Sequence, residues 1–196
     1  MTLEMDSIYN MDCLDGLKLI PDKSIDLIVM DPPYSFQSTE GAGVYGKSRP
    51  YYKEIKTLAE GITNEILDVL LAKMRAVNIY IWCNKAQLRQ YFDYFEDRGC
   101  AVDLLTWHKT NPIPTCSNKY LSDTEYLFFA KDKGVKIYGS YETKRKWYVS
   151  ELNVADKKRY GHPTIKPLNI TKNLFLNSSR GGGDSVRSVH GFWYDC

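Results

Sequence analysis

The chain has 196 residues, of which 43% are apolar and 26% charged, with a formal net charge of +2. That size and balance fit one globular domain with a small appendage and exclude disorder as the general state. No apolar run is long enough to span a bilayer, and the N-terminal MTLEMDSIYN lacks the basic-then-apolar pattern of a secretory signal. Cys13, Cys83, Cys100, Cys116 and Cys196 lie scattered without a CxxC pair, so no zinc site or disulfide framework is expected, and a reduced, cytoplasmic setting fits best. A charge of +2 neither demands nor excludes a nucleic-acid partner. The 15 tyrosines suit half-wet surfaces, with ordinary amphipathic packing as the simpler use of each.

In chain order, residues 7–11 (SIYNM) read as a short strand and residues 13–20 as a short helix. Residues 25–30 (IDLIVM) are almost continuously apolar and end at prolines, the pattern of a fully buried parallel strand. A glycine-bearing polar loop follows over 35–56. Ile66, Leu67, Leu70 and Leu71 recur at helical spacing, with Asn64 as the expected cap. Residues 77–82 (VNIYIW) read as a second buried strand. Residues 85–98 read as a helix with Leu88, Tyr91, Phe92 and Phe95 on one face, closed by Gly99. Two more strands are expected at 102–107 and 125–130, joined by a long proline-bearing connection, and another helix at 168–176. This succession is one half of a doubly wound α/β sheet ending in an antiparallel pair.

Asp31-Pro32-Pro33-Tyr34 follows directly on the first buried strand. Ligands of open α/β sheets bind beyond the carboxyl ends of the strands. A carboxylate there can accept from an amino group, two prolines stiffen the carbonyls beside it, and a tyrosine offers a flat face for a planar ring. Those are the parts needed to hold an exocyclic NH2 of a nucleobase toward an electrophile.

The tetrapeptide resembles motif IV of the DNA amino-methyltransferases, which methylate adenine N6 or cytosine N4 from S-adenosylmethionine. Residues 12–17 (DCLDGL), 19–22 and 24–28 are similar to that family's approach to motif IV. His162-Pro163-Thr164-Ile165-Lys166-Pro167 is similar to its motif X, and residues 107–126 to its sixth and seventh strands. Motif IV before motif X is the permuted order of the β class. The resemblance implies a circularly permuted Rossmann-like fold over residues 1–180, and its Asp-Pro-Pro-Tyr form leans toward adenine N6.

Carried over residue by residue, it implies that Asp31 and the Pro32 carbonyl hold the target amino group within a catalytic Asp31, Pro32, Pro33, Tyr34 set. Tyr34 would stack on a base flipped from double-stranded DNA. Asp12, Asp31, His162, Thr164 and Lys166 would face S-adenosylmethionine, with no metal. For Asp12 a helix cap, and for Lys166 a solvated lysine, are the simpler alternatives. Residues 131–161 correspond to the family's target-recognition segment. Lys144, Arg145, Lys146, Trp147, Lys157, Lys158 and Arg159 there, with Lys47 and Arg49 in the loop, are the expected nucleic-acid contacts, a solvated charged surface and a plain surface loop being the simpler alternatives. A restriction endonuclease is the implied cellular counterpart. The target sequence and oligomeric state stay open.

The chain departs from the family after motif X, where motif I should follow and residues 183–196 (GDSVRSVHGFWYDC) stand instead. A permitted codon choice for residues 186–196, shifted by one nucleotide, encodes Phe-Asp-Pro-Phe-Met-Gly-Ser-Gly-Thr-Thr, the missing motif. Residues 181–196 are therefore expected to be a frameshifted tail. A partial fold follows, lacking the motif I half, with the 25–30 strand left open at one edge, poor stability and weak activity. The alternatives are a catalytically silent nucleic-acid-binding fragment and an RNA N-methyltransferase.

Overall fold

A computed structural model describes residues 4, 7–32, 34, 61–114, 118–152, 154–160, 165–178 and 189–192, with backbone alone for 156, 157 and 189–192. In chain order the elements are α1 (Cys13–Lys18), β1 (Leu27–Met30), α2 (Asn64–Lys73), β2 (Asn78–Cys83), α3 (Leu88–Glu96), β3 (Ala101–Lys109), β4 (Thr124–Lys131), β5 (Trp147–Ser150), α4 (Val154–Tyr160), α5 (Leu168–Ser178) and β6 (Val189–Phe192). The strands hydrogen-bond in the order β5-β3-β4-β2-β1-β6. Two compact units divide the chain. One comprises Met1–Asp103, Phe128–Val135 and Arg187–Cys196, the other Leu104–Leu127 and Lys136–Val186.

In the first unit, β1 pairs in parallel with β2 through Ile28↔Ile79, Val29↔Tyr80 and Met30↔Ile81. Every residue of β2 is buried, as its nearly continuous apolar run requires. Leu67 and Leu70 of α2 and Tyr91, Tyr94 and Phe95 of α3 are buried. Phe128 is the aromatic centre, its ring centroid 5.6 Å from Tyr91, 5.1 Å from Phe92 and 5.5 Å from Phe95. Gly99 ends the α3 turn at φ +73, a left-handed conformation that a glycine adopts without a Cβ clash.

Four expectations need correction. Residues 7–11 form no strand, and Ile8 is fully exposed, since no strand among the described residues buries it. Thr63, in extended conformation, occupies the cap position of α2 without a side-chain bond to the helix N–H groups. Asn64 is already helical, and its Oδ1 instead accepts from Gln90 Nε2 at 3.0 Å. The strand expected from residue 25 begins at Leu27, because Ile25 makes only an isolated bridge to Met74.

The fourth correction concerns the strand edge. The sequence leaves the 25–30 strand open on one side, yet β6 lies along it in parallel, with Leu27↔Val189, Ile28↔His190, Val29↔Gly191 and Met30↔Phe192 in register. Backbone pairing there needs only extended chain of the right length, and a histidine and a glycine do not prevent it. The side of β1 away from β2 therefore carries a strand.

In the second unit, β5 runs parallel to β3, from Thr106↔Trp147 to Lys109↔Ser150. The Lys109 N–H donates to the Asp123 carbonyl at 2.7 Å, so the end of β3 meets the start of β4 as in the expected antiparallel pair. Trp107 is buried, and its indole Nε1 donates to Ser150 Oγ at 2.9 Å. Ile170 and Leu174 of α5 are fully buried. The segment read as one basic stretch over 131–161 is divided. Lys131 closes β4, Trp147–Ser150 is a strand, and Val154–Tyr160 is a helix.

Candidate active site and nucleic-acid surface

Asp31 and Pro32 follow immediately on β1, whose backbone is paired in parallel on both sides. Their place is the carboxyl end of an interior parallel strand, where open α/β sheets form ligand crevices. Asp31 and Tyr34 are half-buried and Pro32 is buried. An acid there is held by a strand tip with little freedom and keeps one side toward solvent. Pro33, Lys47, Arg49, His162 and Thr164 lie outside the described residues.

Asp12 caps α1. Its Oδ1 accepts from the backbone N–H groups of Leu14 at 2.9 Å and Asp15 at 3.2 Å, which satisfies donors that the first helical turn leaves unpaired. The capping alternative is thus present in the fold.

Lys166 is buried rather than solvated. Its Nζ lies 2.9 Å from Glu125 Oε2, and Lys109 Nζ lies 2.6 Å from Glu125 Oε1. Burial pushes the Glu125 carboxyl up, but the charges and hydrogen bonds of Lys166 and Lys109 outweigh it and hold the group below its ordinary value. Lys109 also stands 5.2 Å from the centroid of the Trp107 ring. Two ammonium groups around one carboxylate make a cluster that suits a further anionic group. Glu125 and Lys109 were not read from the sequence as site residues. The signal was present: Glu125 alternates with buried Leu127 on one face of β4, and an acid on an apolar face must be paired.

The cationic run Lys144-Arg145-Lys146 leads into β5. Arg145 bridges Glu142 at 2.8 Å, and its guanidinium lies 5.8 Å from the Tyr141 ring centroid and 5.5 Å from that of Trp147. The Trp147 side is 52% exposed, so cation and indole together face solvent. The Lys146 carbonyl accepts from the Thr106 N–H at 2.8 Å. Lys158 and Arg159 are exposed on α4, with Arg159 5.2 Å from the Tyr160 ring centroid, and Lys157 lies in the same helix. Among the described residues, no three His, Cys, Asp or Glu side chains gather as a metal site, and no helix is long and apolar enough to cross a membrane.

No family model matches the chain. It is 26% identical to the type II methyltransferase M2.MboI of Moraxella bovis over 89% of this chain and 71% of that protein. It is likewise 26% identical to M2.LlaDCHI of Lactococcus lactis subsp. cremoris, over 88% and 72%. M2.DpnII of Streptococcus pneumoniae is 25% identical over 89% and 73%. Among solved structures, M1.HpyAVI in complex with SAM superposes with a TM-score of 0.50 at 20% identity, covering 78% of this chain and 64% of that one. The chain is therefore an α/β protein of methyltransferase-like fold, related in sequence to type II methyltransferases.

Proposed function

We propose that the chain carries the machinery of a DNA amino-methyltransferase that takes its methyl group from S-adenosylmethionine and acts on adenine N6, with cytosine N4 as the second choice. The observation that carries this reading is the Asp31-Pro32-Tyr34 tip on the doubly paired strand β1. The kinship with type II methyltransferases supports it.

Two features, each within its own unit, support S-adenosylmethionine as the cofactor. A carboxylate-bearing strand tip stands at the carboxyl end of a parallel sheet, and Lys166 with Lys109 forms a place favourable to a carboxylate. In this reading Lys166 holds the amino-acid end of the cofactor, helped by Thr164 and His162. The cofactor supplies an electrophilic methyl group on a sulfonium. The chain's own part is placement. Asp31 and the Pro32 carbonyl accept from the target amino group, and fixing its hydrogens aims the nitrogen lone pair. Tyr34 gives the flipped base a face to stack on. The exposed cations at 144–146 and 158–159 neutralise phosphates of the double-stranded DNA partner.

The test is transfer of a labelled methyl group from S-adenosylmethionine to duplex DNA, followed by separation of the methylated nucleosides. It is run on this chain and on the product of a gene restored to the motif I frame. Asp31→Ala should cut transfer by about 10² or more, because the aligning acceptor acts on the reacting nitrogen. Undiminished transfer by Asp31→Ala, or label recovered in RNA or protein alone, overturns the reading.

A further inference from the structure

Asn177 lies in the last turn of α5 and is 5% exposed. Its backbone carbonyl accepts from the Tyr138 N–H at 2.7 Å. Its side-chain Oδ1 accepts from Thr143 Oγ1 at 2.8 Å, and its Nδ2 donates to the Thr143 carbonyl at 2.8 Å. The Ser140 N–H in turn donates to Thr143 Oγ1 at 2.9 Å. Gly139 makes room for this knot. It sits at φ +71, and a Cβ there would come within 2.2 Å of Asn177 Oδ1 and 2.4 Å of Thr143 Oγ1. A buried side chain that meets both ends of one residue on a neighbouring segment is a fixed clamp rather than a passing contact.

The clamp lies just before the cations. Thr143 is held by Asn177, and Trp147 is held in β5 against β3. Between these two anchors lie only Lys144, Arg145 and Lys146. We infer that Asn177 is a positioning residue for nucleic-acid binding: with Thr143 it fixes the 138–143 turn, so that the three cations and Trp147 are presented in one conformation before DNA arrives. This rests on the reading that residues 144–147 meet DNA. A segment ordered in advance loses less conformational freedom on binding, and so gains affinity without a new contact.

The test uses the full chain with Asn177→Asp, Thr143→Val, Thr143→Ser and Arg145→Ala. Three measurements are made: affinity for a fluorescent DNA duplex, backbone hydrogen exchange over 138–146, and thermal unfolding. Asn177→Asp and Thr143→Val should each weaken duplex binding about tenfold and speed exchange over 138–146, with exchange in β1 and β2 unchanged. Thr143→Ser, which keeps the hydroxyl, should bind as the parent chain does. Should Asn177→Asp unfold the protein, Thr143→Val decides. Parent-like DNA affinity in Thr143→Val, while Arg145→Ala is weakened, overturns the inference. If Arg145→Ala binds as the parent does, it is the DNA reading that fails. Exchange alone then judges the clamp, with unchanged rates over 138–146 overturning it.

Discussion

Lys166 donates to Glu125 across 41 residues of chain, Nζ to Oε2 at 2.9 Å, while Lys109 Nζ holds the other oxygen of the same carboxylate at 2.6 Å. Each carboxylate oxygen thus meets its own ammonium group, and all three side chains are largely out of water. Such a cluster is sensitive to the loss of any one charge, because what remains is buried and mismatched.

The first prediction concerns acid. Glu125 is held below the ordinary carboxylate value of 4.5 in the folded chain. As pH falls through 4.5 the unfolded chain takes up the proton first. The stability that Glu125 contributes is therefore complete above that value and is lost as pH falls through the lower folded value. Glu125→Gln should cost about 3 kcal/mol at neutral pH, which is roughly 6–12 °C in Tm for a chain of this size. Its Tm should also fall less steeply than that of the parent as pH drops below 4.5. Thermal unfolding across that range checks both, and parallel acid limbs in the two proteins would show that Glu125 carries no such linkage.

A second prediction separates stacking from hydrogen bonding at the strand tip. If Tyr34 presents a face to a base, Tyr34→Phe keeps that face and Tyr34→Ala removes it. A base–aromatic stack is worth about 1–3 kcal/mol, so Tyr34→Ala should raise KM for DNA about five- to a hundredfold, with KM for S-adenosylmethionine little changed. Tyr34→Phe should stay within about threefold of the parent. Equal loss in both variants would assign the role to the hydroxyl and remove the stacking argument.

The tip and the buried strands were legible in the sequence because they obey local rules. Residues 25–30 and 77–82 are nearly continuous apolar runs, and most of each is buried as β1 and β2. Asp31 could be placed at a strand end from the prolines that stop the run. What escaped was set by partners distant in sequence. Glu125 reads as one charge in an apolar strand until Lys166 is brought to it. The 147–150 segment reads as part of a cationic stretch until β3 offers it a ladder. His190 and Gly191 do not look like strand interior, and β6 exists through its register with β1. Asn64 seemed a cap on local grounds but is drawn to Gln90 of α3.

The third prediction tests the core. Phe128 is fully buried and touches three aromatic rings of α3. Phe128→Ala removes the shared contact and leaves a cavity that rigid rings fill poorly, so it should cost about 3–5 kcal/mol in denaturant unfolding. Phe128→Leu should cost less than half of that, since most of the volume remains. A loss under about 1 kcal/mol for the alanine variant would mean that the rings repack around the gap.

The last prediction concerns the strand that the sequence did not foresee. Val189–Phe192 borders β1, and β1 ends in Asp31, so the pairing on that edge bears on how firmly the acid is held. Proline has no N–H to donate and is poorly tolerated inside a ladder. Gly191→Pro, opposite Val29, should therefore loosen both strands. Hydrogen exchange at the Leu27–Met30 amides should quicken about tenfold or more, and Tm should drop by several degrees. Gly191→Ala keeps the N–H and separates ladder loss from a change of side chain. If β1 amides exchange at the same rate in Gly191→Pro, β6 adds nothing, and the open edge expected from the sequence is the better description. Reading the gene across codons 178–196 is the companion measurement. A shifted frame that encodes Phe-Asp-Pro-Phe-Met-Gly-Ser-Gly-Thr-Thr would make the restored segment the competitor for this same edge of β1. A shifted frame that encodes anything else would leave β6, as it stands, the only candidate among the described residues.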